Sequence, residues 1–408
     1  MKSHHRLLTL MVCVSSSAAF ANLYLFQPLL PILARHYHVG ELGVNMVMAC
    51  AMAGMGIGLI VFAGLADALG RRQIYLWSIF AGVVLTLFMP WVSSFSMLLG
   101  LRFFQGVLLA GCPAVAIAFL SDELPLCRLP MSVGWFVAAN SIGGLSGRVF
   151  SAVLAQLDGH WQIACWGIGT LTLLIMLATV KWLPQARRFT AHPFSVRQTS
   201  RQFWHHLHNR RLLAIYLIGG ILFGVFVNQF SFLLFLLSSP PYSFPTALSG
   251  MIFLCYLSGT FSAARSSLFS QRFGLVNGIL VGLLIMLVAC LLLVSQSLVM
   301  MIGGLLVLAA GFFFCHSQAS ALISRQVDQA KASAQALYTL FYYFGASFGA
   351  FYLQPFYHLW KWHGVVFGVA LAIIGCIVLA CRLRSWRLKG MVKDVELIHF
   401  KKEKPRLN

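Results

Sequence analysis

The sequence predicts an all-α integral membrane protein, with twelve transmembrane helices forming two pseudo-symmetric six-helix bundles. Three observations lead there. The 408 residues are 60% hydrophobic and only 9% charged, whereas soluble domains average about 25% charged. The basic residues behind the net charge of +20 fall almost entirely between the apolar runs. The two halves also echo each other at an offset of just over 200 residues.

A spanning helix needs about 20 mostly apolar residues. Such runs cover 7–33, 42–63, 74–92, 96–119, 130–154, 162–183, 212–236, 246–268, 275–294, 298–322, 332–355 and 364–382. The first is longer than the apolar stretch of a cleavable signal, so it is expected to remain as a span. The one long connection, Gln185–Arg211, is polar and rich in Arg and His. It divides the chain into an N-terminal bundle (1–184), a basic linker (185–211), a C-terminal bundle (212–383) and a basic tail (384–408).

Orientation follows from the basic residues. If the linker is cytoplasmic, every Lys and Arg falls on its side except Arg35 and Lys361 opposite and Arg102 and Arg148 within spans. Cytoplasmic loops carry the Lys and Arg excess, so both termini are expected in the cytoplasm of a bacterial inner-membrane protein. The tail reads as a solvated basic end or as a contact with anionic lipid.

Interspersed with apolar runs, the positive charge does not point to nucleic acid. The ten cysteines form no CxxC pair and lie mostly inside apolar runs, so they read as small hydrophobes. His36 and His38 sit in a short loop, and His205, His206 and His208 lack acidic or cysteine neighbours in the linker. No metal site, cofactor or catalytic constellation is expected, and an enzyme is not the reading.

The repeat is visible at three places. Asp67-Ala68-Leu69-Gly70-Arg71-Arg72 parallels Gln271-Arg272-Phe273-Gly274 at an offset of 204. Gly143 and Gly147 parallel Gly345 and Gly349 at 202, and Asn22 parallels Asn228 at 206. Duplicated bundles with a substrate site between them near the bilayer midplane are a transporter architecture. The four glycines are expected to pack helices closely.

The loop from Ala63 to Arg72 could latch that face of the protein in one state. Asp67, at a helix end, is within reach of a neighbouring helix N-terminus and of basic side chains. Gly70 permits the tight reversal, and Arg71 and Arg72 complete the set. A plain positive-inside loop is the alternative. This loop resembles the signature of the major facilitator superfamily, roughly G-x-L-A-D-R-x-G-R-R, with Ala63 and Ala68 replacing a glycine and an arginine. Arg102-Phe103-Phe104-Gln105-Gly106 is similar to the family's R-x-x-Q-G pattern. An intramembrane charge costs about 2.5 kcal/mol or more and should face the interior or a cavity; snorkelling to the interface is the other option for Arg102. Its replacement by Ala is expected to abolish transport without changing insertion.

In the fifth span, Ala139-Asn140 stands where the family's antiporter branch has Gly-Pro, a departure from drug:proton antiport. Arg148 in the same span could meet an anion or substrate, or only a carbonyl or Asp158. In the first span, Pro28 and Pro31 bend the helix and could point Asn22 and Gln27 into a cavity. The string Asn22-Leu23-Tyr24-Leu25-Phe26-Gln27-Pro28, with Tyr338 and Tyr342 in span eleven, resembles an inner-membrane efflux branch that includes arabinose-efflux-like permeases.

The resemblance implies a secondary transporter working by alternating access and exporting a small organic solute: a sugar, an organic anion or a drug-like molecule. The expected cavity comprises Asn22, Tyr24, Gln27, Arg102, Gln105, Asn140, Arg148, Asn228, Gln229, Tyr256, Gln318, Tyr338 and Tyr342, with the two arginines near its mouth. Two cations and no carboxylate favour an anionic or neutral substrate. None of the nine acidic residues lies at mid-span, so a proton-coupled cycle would use His316, or else Asp122 and Glu123. The partners expected are a small-molecule substrate, protons if coupled, and the bilayer, with the chain acting as a monomer. The alternative is a transporter-like protein that moves nothing, a receptor or relic.

Overall fold

The computed structural model describes residues 2–125, 127–186, 196–295, 297–327 and 330–402, excluding the side chains of 2–4, 67, 196, 198, 199 and 386–402. Among the described residues the regular structure is entirely helical.

The first crossing is α1 (Lys2–Tyr24), a 3-10 turn at Gln27–Leu29, and α2 (Leu30–Tyr37). It breaks there because Pro28 and Pro31 have no N–H for the carbonyls of Tyr24 and Gln27. Next come α3 (Glu41–Leu69) and α4 (Arg71–Phe88). The fourth crossing is α5 (Phe95–Leu109) plus α6 (Gly111–Glu123), divided where Pro113 leaves the Leu109 carbonyl without its helical donor. α7 (Leu129–Asp158) and α8 (Trp161–Trp182) complete the first six.

The linker carries α9 (Val196–His208), held to the second half where the Ser333 hydroxyl donates to Gln202 at 2.7 Å. Its His206 is buried there, which pushes the imidazole pKa below its ordinary value. The second half is α10 (Arg210–Leu237), α11 (Thr246–Met251) with α12 (Tyr256–Phe273), α13 (Leu275–Leu293), α14 (Leu298–Gln326) and α15 (Lys331–Lys402). α10 starts on Asn209, whose side chain accepts from the Arg211 and Leu212 amides as an N-cap. α15 leaves helical geometry at Trp360 and Lys361 and so supplies two crossings. Among the described residues, ten segments are long and apolar enough to span. Counting α15 twice and adding the 30-residue, less apolar α7 gives twelve.

Alternate crossings place the α3–α4, α6–α7 and α12–α13 turns on the side of the linker, and the α2–α3, α7–α8 and α10–α11 turns on the opposite side. The duplication is also present in the backbone. Gly70 and Gly274 end α3 and α12 with φ of 105° and 83°, a region that side-chain-bearing residues rarely adopt.

Apolar burial drives little association inside lipid, so close packing takes its place. Gly143 and Gly147 of α7 lie so near Ser17 and Ala21 of α1 that a Cβ would strike their backbones. Gly345 and Gly349 of α15 do the same against Gly220 and Gly224 of α10.

Candidate functional site

A cavity of about 310 Å³ lies between the two halves. α1 contributes Phe20 and Tyr24, and α7 contributes Asn140, Ser141, Gly144 and Arg148. From the second half come Phe223 and Phe226 of α10, Tyr256, Thr260 and Phe261 of α12, Phe313 of α14, and Tyr342 and Tyr343 of α15. Rings dominate the walls. Phe223 stacks on Tyr342 at 3.5 Å, and Phe226 stacks on Phe312 at 4.1 Å. At Ala138 and Ile142 the cavity adjoins a cleft of about 660 Å³ between α1 and α7, which runs past Trp135 to Arg6 and Arg128 on the linker side.

On the opposite side the halves are joined. Gly250 of α11 packs on Ala152 of α7, and the Thr246 amide donates to Gln156 at 2.9 Å. Gln27 donates to the Val227 carbonyl at 3.0 Å and to Ser231 at 3.1 Å. The cavity is therefore closed on that side and reached from the linker side.

Arg148 is 3% exposed and stands at the closed end of the cavity, not at its mouth. Nε donates to Gln27 Oε1 at 2.7 Å and Nη1 to the Gly144 carbonyl at 2.8 Å. The guanidinium lies 3.8 Å from the Tyr24 ring centre, 5.0 Å from Phe253 and 5.1 Å from Tyr256. It is thus solvated by π faces and amide oxygens. No salt bridge to Arg148 occurs among the described residues. The sequence alternative of a carbonyl partner is realised at Gly144.

Of the expected cavity residues, Tyr24, Asn140, Arg148, Tyr256 and Tyr342 line the space. Eight do not. Arg102 is wholly buried within the first half. It donates to the carbonyls of Leu23 at 2.8 Å, Val47 at 3.2 Å and Asn22 at 3.5 Å, and also to Gln105 Oε1. Asn22 and Leu23 belong to the last turn of α1, whose carbonyls lack helical donors. Arg102 therefore caps the broken helix and does not face solute. Asn22 and Gln105 are absorbed into the same network: Thr86 donates to Asn22 Oδ1 at 2.6 Å, Asn22 donates to Thr172 at 2.9 Å, and Gln105 donates to Thr86 at 2.5 Å.

Gln27 sits behind Arg148. Asn228 donates to the Gly224 and Ala346 carbonyls, both at 2.8 Å, tying α10 to α15. Gln318 donates to the Ser266 carbonyl at 2.6 Å, and Gln229 is fully buried in α10. Tyr338 lies behind the wall, its hydroxyl 2.8 Å from His316 Nδ1. Most of these polar groups point away from the cavity because in an apolar medium they satisfy one another and the backbone first.

His316 is one ring removed from the cavity, 5.0 Å from Tyr342. Asp122 is elsewhere, at the linker-side end of α6, where Arg71 Nη1 donates to its two oxygens at 2.6 and 2.7 Å and to the Ala118 carbonyl at 3.1 Å. Glu123 is buried beside it. Both acids are thus remote from the cavity. Arg72 donates to the carbonyls of Pro184 at 3.0 Å, Leu183 at 3.1 Å and Val180 at 3.5 Å, so a cation caps the C-terminus of α8. The Asp67 side chain lies outside the described residues.

Sequence reasoning missed Phe20, Phe223, Phe226, Phe261, Phe313 and Tyr343, because a ring facing a cavity reads like one facing lipid. The repeat held one usable signal: Phe20 and Phe223 are 203 residues apart.

The family model of the Major Facilitator Superfamily matches residues 12–350. The chain is similar to the MFS-type transporter YybF of Bacillus subtilis, with 30% identity over 94% of this chain and 93% of the relative. It is 31% identical to the inner membrane transport protein YnfM of Escherichia coli, over 92% of this chain and 90% of that one. Among solved structures, a point mutant of the nucleoside transporter NupG superimposes with a TM-score of 0.72 at 14% identity, covering 92% of this chain and 99% of that one. A bacterial homologue of the human lysosomal transporter Spinster, inward-facing and unoccupied, gives 0.71 at 15% identity over 94% and 96%. Identities this low speak to the fold alone.

Proposed function

Because the chain belongs to the major facilitator superfamily, we propose that it is a secondary transporter that carries a small organic anion or neutral solute out of the cell by alternating access. The observation that carries the substrate preference is Arg148, a buried cation in a cavity whose lining has no carboxylate. A cationic solute would meet repulsion there without compensation. The export direction rests on the resemblance of the first and eleventh spans to an efflux branch.

The placement of Lys and Arg supports a bacterial inner-membrane protein with both termini and the linker in the cytoplasm. On that orientation the state described here faces inward. The bundles 1–184 and 212–383 rock about the cavity as a monomer. Arg71, with Asp122, and Arg72, with the α8 terminus, brace the linker-side end of the first bundle, with Gly70 forming its turn and Asp67 part of the latch. In a proton-coupled cycle His316 carries the proton, being the one of the three candidates that adjoins the cavity wall.

Counterflow in proteoliposomes across a panel of anionic, neutral and cationic solutes, with and without a pH gradient, tests this. Exchange of anionic or neutral solutes is expected. Exchange of cations alone overturns the substrate reading, and exchange of nothing overturns transport itself in favour of a receptor or relic.

A further inference from the structure

We infer that the cavity takes a single-ring aromatic monocarboxylate, its carboxylate on Arg148 and its ring between the aromatic walls; this deepens, and rests on, the transporter reading. Four observations converge. The first is charge. Arg148 is the single Lys, Arg, His, Asp or Glu among the lining residues, so a monoanion neutralises the site, whereas a dianion or cation leaves a buried charge uncompensated. Its Nε donates to Gln27 and its Nη1 to the Gly144 carbonyl, both neutral acceptors, and no carboxylate pairs with it among the described residues, so its charge is left for a carboxylate to offset.

The second is wall chemistry. Half of the lining residues are aromatic. Those from the second half pack on one another and on the ring behind them, Phe223 on Tyr342 with 11° between the planes and Phe226 on Phe312, outside the lining, with 6°. A wall built of rings favours an aromatic ligand over a polar one. A sugar fits poorly, since its many hydroxyls would go unpaired against them, and the Asn140 carbonyl oxygen is already taken by Ser16.

The third is size. At about 310 Å³ the cavity lies at the small end of ligand sites, which run to about 1,000 Å³. The fourth is polarity along the ligand. The repeat that aligns Gly147 with Gly349 puts Ala350 where Arg148 stands, so the two halves share rings but only one supplies charge. A ligand charged at one end and apolar at the other matches that asymmetry.

The test uses the purified full chain. Thermal melting in detergent should show a saturable rise with benzoate and phenylacetate, at least tenfold weaker with the isosteric neutral benzamide, and none with arabinose. In proteoliposomes at pH 8, labelled benzoate should exchange above protein-free controls. Arg148→Ala should weaken benzoate about 10- to 100-fold, as loss of a charge-assisted pair does, and weaken benzamide several-fold less. Equal response to benzoate and benzamide in the native chain overturns the inference, and does so even if the variant fails to fold. Exchange of arabinose or a lipophilic cation without benzoate overturns it while leaving transport standing. Exchange of no solute overturns both.

Discussion

Arg148 Nε donates to Gln27 Oε1 at 2.7 Å, while Gln27 Nε2 reaches across to the Val227 carbonyl and Ser231 of the other half. One amide thus links the cavity cation to the closure opposite the linker. Gln27→Leu keeps the volume and removes the bonds. Labelling of a Ser249→Cys reporter by a membrane-impermeant maleimide from the side opposite the linker should rise severalfold, in a background with the exposed Cys127 and Cys381 replaced. Unchanged labelling would mean that Gly250 on Ala152 holds the closure without Gln27.

Arg102 is a capping residue, and its loss should appear in stability. Removing it leaves the Leu23 and Val47 carbonyls buried without their donor, at about 1–3 kcal/mol each. Arg102→Ala should therefore lower the melting temperature in detergent and the yield of inserted protein, with transport falling in proportion to folded material. Full insertion with selective loss of transport would restore the sequence expectation and contradict this one.

The matched glycines give paired predictions. Gly143→Val and Gly345→Val each drive a side chain into a neighbouring backbone, Ser17 and Gly220 respectively. Overpacking costs about 1–3 kcal/mol where side chains can yield, and more where backbone must move. Both should destabilise strongly and similarly. Gly375→Val, where a Cβ meets nothing within 4 Å, should be nearly silent in the same melting assay.

The Arg71–Asp122 pair is 21% and 25% exposed at its side chains. Pairs near the surface contribute about 0–1 kcal/mol, so Asp122→Asn should barely change melting. A transport rate that nevertheless falls at least fivefold, and recovers in the Arg71→Asp/Asp122→Arg swap, would show that the pair acts on the conformational cycle.

His316→Gln preserves a hydrogen-bonding partner for Tyr338 and removes the titratable ring on which the proposed coupling rests. Solute counterflow should continue while acceleration by an imposed pH gradient disappears. Gradient-driven transport that survives the change would place coupling elsewhere.

How much was legible differs from residue to residue. The all-helical, membrane-spanning class and the close-packing glycine pairs were readable because hydropathy and spacing are properties of the chain itself. The sequence could show that Arg102 and Arg148 were intramembrane cations, but not that they would part ways. Whether a guanidinium meets the carbonyls of a broken helix or the rings of a cavity depends on which helix lies beside it, and that is set by packing. Polar residues such as Asn22, Gln105 and Gln318 were predicted to face solute but turned inward, because in an apolar medium each takes the nearest backbone or amide partner. The ring-walled pocket was the least legible feature: an aromatic facing lipid, core or cavity has the same sequence, and only the fit of the two bundles against each other decides which it becomes.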